Sequence, residues 1–150
     1  MELVYEMTYR AMLHPAHGVG AGPYGERVIY SFKDGFVEGD RVSGKLIGTG
    51  ADWLLVGADG FGLMDVRTQF QTDDGAIVYM YYHGLIELNE RVRAAMEQSL
   101  ETQLGDHYWR TSIRFETGDS RYAWLNQSMF VGEGRLYPGL GVQYKIYRVA

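Results

Sequence analysis

The sequence predicts an all-β, mainly antiparallel protein: a single meander β-barrel, lipocalin-like in shape, with one helix between strands and one domain over residues 1–150. Three observations predict it. Glycine is abundant at 20 residues against 3 prolines, and the glycines punctuate short runs in which polar and apolar residues alternate. Consecutive runs are separated by short turn-forming stretches, so neighbours in sequence are expected to pair in the sheet. A meander of about eight or more strands removes its edges by closing, and can then enclose a small ligand.

Strands are predicted near Glu2–Leu13, Glu26–Lys33, Arg41–Gly48, Trp53–Gly57, Phe61–Gln71, Ala76–His83, Tyr108–Glu116, Tyr122–Val131 and Gly141–Val149. One segment breaks the rhythm. Leu88, Val92, Met96, Leu100 and Leu104 recur every four residues, with Asn89 placed to cap and Gly105 to stop, which predicts a helix whose apolar stripe lies on the barrel or plugs one end.

The hairpin from Phe61 to Gly84 fixes a register. Asp73, Asp74 and Gly75 suit a three-residue loop with glycine in the left-handed region, so Thr72 pairs with Ala76. Counting outward sets Gln69 opposite Tyr79, Arg67 opposite Tyr81 and Asp65 opposite His83 on one face; Val66, Tyr82, Thr68, Met80, Phe70 and Val78 share the other. A two-residue turn would mix these sets, and a one-residue slip moves every side chain to the opposite face. A matching loop at Ala58, Asp59 and Gly60 pairs Leu55 with Leu63 and adds Trp53 to the mixed face. A five-residue loop from Thr117 to Arg121 would pair Glu116 with Tyr122, Arg114 with Trp124 and Ser112 with Asn126, giving a second mixed face. Such aromatic-rich faces are expected to be opposing walls of a pocket or a subunit interface, since large exposed apolar patches are uncommon on monomers.

Several function classes are disfavoured. The chain has no cysteine, which excludes thiol nucleophiles and zinc ribbons. A net charge of −5 with scattered basic residues argues against nucleic acid. Met1–Leu13 alternates instead of forming a basic segment and an apolar run, so no signal peptide or membrane span is expected, and a cytoplasmic location is. His14, His17, His83 and His107 show no metal-binding spacing, and no metal or cofactor is expected. Gly20–Gly25 matches the dinucleotide fingerprint, but a strand follows it where a helix is required, so it reads as a flexible turn or barrel-mouth loop. No serine sits in a Gly-x-Ser-x-Gly elbow.

Gly50-Ala51-Asp52-Trp53, Asp65-Val66-Arg67 leading to Thr72-Asp73-Asp74-Gly75, Trp109-Arg110-Thr111, Phe115-Glu116-Thr117-Gly118-Asp119 and Tyr122-Ala123-Trp124-Leu125-Asn126 together resemble the DUF3237 family, also called UPF0311. The resemblance implies a small bacterial β-barrel of unassigned biochemical role. Trp53, Asp65, Arg67, Glu116, Tyr122, Trp124 and Asn126 match its motif positions.

The chemistry expected of the mixed faces is acid and base. Asp65, Tyr81 and Tyr122 are the candidate catalytic residues, as base and proton donors. Trp53, Arg67, Gln69, Tyr79, His83, Arg114, Glu116, Trp124 and Asn126 are the candidate ligand contacts, arginine for an anion or enolate and tryptophan for a flat ring. The expected function is a small-molecule-binding barrel, a cofactor-independent isomerase, cyclase or lyase for a small aromatic or polyketide-like, enolisable or anionic substrate. A carrier or sensor using the same cavity, and a homodimer joined through these faces, are the competing readings.

Overall fold

The computed structural model describes residues 1–150. Its strands are β1 (Leu3–Leu13), β2 (His17–Gly22), β3 (Gly25–Glu38), β4 (Ser43–Leu46), β5 (Ala51–Val56), β6 (Phe61–Thr72), β7 (Ile77–Glu87), β8 (Trp109–Glu116), β9 (Met129–Tyr137) and β10 (Gly141–Val149). Helix α1 (Glu90–Glu97) follows β7, and the single turn α2 (Ala123–Asn126) precedes β9. The sheet runs β1-β10-β9-β8-β7-β6, passes through β4 and β5 to β3, and returns to β1, closing an eight-stranded antiparallel barrel. β4 and β5 are two halves of one barrel position. Both lie between β3 and β6, and Gln69 braces the break between them by donating to the Ile47 and Thr49 carbonyls.

The register expected for the β6–β7 hairpin is the observed one. Gln69 faces Tyr79, Arg67 faces Tyr81 and Asp65 faces His83; Thr72 N–H donates to Ala76 O, and Gly75 takes φ +96°. Leu55 likewise pairs with Leu63. What differs is the side that lies inward. Val66, Thr68, Phe70, Val78, Met80 and Tyr82 are buried inside the barrel, so the mixed face lies outside. The interior of an eight-stranded barrel is just wide enough for side chains to fill, and the more apolar face fills it.

Three expectations are corrected. The second hairpin does not form as expected: β8 pairs with β9 as Ser112↔Val131 and Arg110↔Glu133, while residues 117–128 make a turn of 3-10 helix (Ser120–Tyr122) and α2. Tyr122 and Leu125, three apart, both point into the core, a helical spacing hidden within an apparent alternation. Asn126 holds the turn closed, donating to Thr117 O and accepting from Thr117 N–H, both at 2.8 Å. The helix predicted over Leu88–Leu104 stops at Glu97. Ser99 reverses the chain at φ +54°, with Leu100 N–H bonded to Ala95 O and Ser99 N–H to Met96 O, a Schellman closure. The Gly20–Gly25 segment is part of an ordered hairpin, with β2 paired to β3 as a continuation of the position β1 leaves at Leu13.

The barrel is stoppered at both ends. At one end Tyr122 and Leu125 join the core beside Phe70 and Phe115, and Trp124 packs on Phe130 under the Arg41 guanidinium, 3.7 Å from its ring. At the other, α1 lays Val92 and Ala95 over the mouth, with Asn89 capping as expected by accepting from Val92 N–H. Neither helix is long and apolar enough to cross a membrane.

Candidate functional site in the barrel mouth

β3 and β5 pair antiparallel with Tyr30 directly opposite Asp52. Trp53 points out at 40 % exposure, so the alternation turns Asp52 and Leu54 inward, and Tyr30 lies on the same face as Asp52. Both line a cavity of about 40 Å³ whose other walls are chiefly apolar, from Leu54, Met64, Ile86, Met96 and Trp109. The Asp52 carboxylate accepts one hydrogen bond, from Asp65 N–H at 3.1 Å. Burial raises its pKa to about 7; that hydrogen bond opposes the rise, the negative charge of Asp65 adds to it and Arg27 opposes it. Burial, and then the charge of Asp52, raise the Tyr30 hydroxyl above its ordinary value.

Below lies a buried aromatic cluster. Tyr9 stacks on Tyr144 at 5.6 Å, Tyr82 meets Tyr144 edge-on at 5.4 Å, and Trp109 Nε1 donates to Tyr144 Oη at 3.1 Å. Burial pushes all three tyrosines up, so they stay protonated at neutral pH. A base and hydroxyl donors at one apolar site are the elements of proton transfer at a carbon acid.

The residues expected to form the site fall elsewhere, in three groups. Arg67, Tyr79, Tyr81, Arg114, Glu116 and Asn126 do come together, in an open hollow of about 680 Å³ on the barrel's outer face; Trp53 and Gln69 line an adjoining hollow that shares Arg67. Asp65 and His83 meet on the same outer face, Nε2 to Oδ1 3.3 Å, both well exposed. Tyr122 and Trp124 belong to the end stopper, and the Tyr122 hydroxyl donates to Asp74 at 2.8 Å. The expected catalytic set of Asp65, Tyr81 and Tyr122 therefore does not converge on one position, because the hairpin that would have brought Tyr122 alongside is helical. The pair Asp52 and Tyr30 escaped sequence reasoning, although one signal was present. If Trp53 faces out, its neighbour Asp52 must face in, and a lone carboxylate on an inward face is conspicuous.

Fold and mouth together define a closed antiparallel barrel with a helix-covered, carboxylate-bearing cavity. The chain belongs to the DUF3237 family, proteins of unknown function, whose model matches residues 1–149. It is 32% identical over 136 residues to a UPF0311 protein of Rhodopseudomonas palustris strain TIE-1, covering 88% of this chain and 86% of that protein. Among solved structures it is similar to RPA1785 of Rhodopseudomonas palustris, a protein of unknown function, with TM-score 0.91 and 28% identity over 99% of this chain and 97% of that one. An enzyme from Penicillium herquei shares the fold at TM-score 0.70 and 18% identity, over 99% of this chain and 94% of that one.

Proposed function

We propose that the barrel mouth binds a small, largely apolar, enolisable aromatic or polyketide-like molecule and moves a proton on it without a cofactor. The observation that carries this reading is that Asp52 on β5 and Tyr30 on β3 are opposite each other in the strand register and both line an otherwise apolar cavity, where burial pushes the Asp52 carboxyl up to about 7. Asp52, ionised, takes a proton from the carbon next to a carbonyl. Tyr30 donates a hydrogen bond to the oxygen that becomes the enolate, and Asp52 returns the proton at the same or another carbon. Isomerisation, ring closure and elimination all share this step. Of the two expected substrate types, the apolar lining favours the enolisable one; an anionic group would face Asp52 with no arginine among the lining residues.

The predominance of hydrocarbon in the lining favours one other reading, a carrier that holds such a molecule unchanged. Deuterium incorporation separates the two. Wild-type protein incubated in D2O with a panel of aryl ketones and β-diketones is expected to exchange their acidic C–H protons faster than buffer, with a rate that rises through pH 7 and is lost in Asp52→Asn. Binding detected by calorimetry with no exchange for any panel member would favour the carrier.

A further inference from the structure

We infer that the outer face of the barrel carries a second binding site, separate from the mouth, for a small aromatic carboxylate. Its core is a ladder across three adjacent strands, in which Arg67 on β6 faces Tyr81 on β7, and Tyr81 faces Arg114 on β8. Strands lie about 4.8 Å apart, so the two arginines leave the sheet about 10 Å from each other on either side of one tyrosine. Both side chains are long enough to close on one carboxylate between them, and guanidinium presents the planar fork that such a group prefers.

The arginines are also unlike the others in the chain. Arg41, Arg91, Arg110, Arg121, Arg135 and Arg148 each pair with a carboxylate. Arg10 is bound to Gln143 and stacked on Tyr137, Arg27 donates to Trp53 O, and Arg93 donates to Leu88 O. Arg67 and Arg114 alone make no ion pair, side-chain hydrogen bond or stacking contact. In a chain with 19 acidic residues, two adjacent unpartnered guanidiniums in one hollow mark a place where the negative charge comes from outside.

The rest of the hollow sets the ligand class. Tyr79 and Tyr81 stack on each other at 5.3 Å, 24° from parallel, and so form a rigid aromatic wall that presents ring edges next to the arginines. One row further from the arginines Tyr79 faces Glu116, whose carboxylate has no cationic partner within ion-pairing distance. A ligand lying along the two tyrosines meets positive charge at one end and a hydrogen-bond acceptor at the other. A hydroxylated aromatic acid fits that order, with its carboxylate between Arg67 and Arg114, the face of its ring against the edges of Tyr79 and Tyr81, and its hydroxyl donating to Glu116.

Titration calorimetry with 4-hydroxybenzoate tests this, beside the neutral 4-hydroxybenzamide, for the wild type, Arg67→Gln, Arg114→Gln, the double variant and Asp52→Asn. Saturable binding of the acid is expected, weakened at least tenfold in the double variant and for the amide, and unchanged in Asp52→Asn. Both arginines are exposed, so the variants should melt with the wild type, and either single variant serves if the double one does not. The inference is overturned if the wild type does not bind the acid, if the double variant binds it equally well, or if only Asp52→Asn loses it. It is also overturned if sedimentation shows the wild type self-associating through this face and the double variant monomeric, since the arginines would then serve a second copy. Failure here leaves deuterium exchange at the mouth untouched, and failure there leaves this site untouched.

Discussion

At the residue scale, Asp52 couples stability to pH in the direction opposite to an ordinary ion-paired carboxylate. Its pKa is about 7 in the folded chain against an ordinary 3.8. Between these values the folded state holds a proton that the unfolded chain has already released, so stability falls as pH rises from about 4 to about 7 and then levels off. The full shift corresponds to a penalty on the order of 4 kcal/mol above pH 7. Asp52→Asn removes the charge and keeps the size. Urea unfolding of wild type and variant should give similar stabilities near pH 4 and a variant more stable by a few kcal/mol at pH 8. A gap independent of pH would mean that Asp52 does not ionise in a buried environment. The same carboxylate shows why sites are harder to read than folds. Its neighbours Ala51 and Trp53 carry no sign of a cavity, and only the assignment of Trp53 to the outside, which the closed barrel makes certain, turns Asp52 inward.

At the scale of elements, the β6–β7 hairpin was legible and the connection after β8 was not, for a physical reason. Asp73-Asp74-Gly75 announces a turn whose geometry sets every pairing outward from it, whereas Thr117–Arg121 carries turn residues that serve equally to start a helix. There Asp119 caps the 3-10 turn by accepting from Arg121 N–H at 2.9 Å, a contact between residues two apart that no strand register encodes. Which face of a hairpin lies inward is likewise a property of closure and not of the hairpin. The turn itself can be tested cleanly. A Cβ added at Gly75 would touch nothing within 4 Å, but φ there is +96°, so Gly75→Ala isolates the backbone term. The expected cost is about 1 kcal/mol, or a fall of about 2–4 °C in Tm. Gly118→Ala is the control, since it has equally open space and no positive φ, and it should melt within about a degree of wild type or above it. Equal losses in both would place the effect outside the turn conformation.

At the scale of the whole molecule, the two stoppers differ in how they are held. The α2 end is a packed continuation of the core, with Leu125 fully buried and Trp124 clamped under Arg41. The α1 end is a strap stitched at its edges: Leu88 N–H to Gly60 O at 2.9 Å, Gly139 N–H to Ser99 O at 2.9 Å, and Leu136 N–H to Thr102 Oγ1 at 2.9 Å. Beneath it the 40 Å³ cavity admits only a few waters, so the ligand proposed for the mouth would reach Asp52 only if the strap moved. A surface cleft between α1 and the β3–β5 pair shares Tyr30, Leu54, Leu88 and Met96 with the cavity, so the proposed ligand would enter along that seam. One tie of the strap can be cut singly: α1 is only 8 residues long, and at its N-cap Asn89 Oδ1 accepts from Val92 N–H at 3.0 Å. Losing such a cap costs about 0.5–2 kcal/mol, or about 2- to 30-fold in the opening equilibrium. Asn89→Ala should therefore speed amide exchange over residues 90–97 by that factor while β6 and β7 exchange as in the wild type, as read by hydrogen–deuterium mass spectrometry. If exchange rose equally in the strap and the barrel strands, α1 would be part of one cooperative unit with the barrel, and the mouth would open only by unfolding.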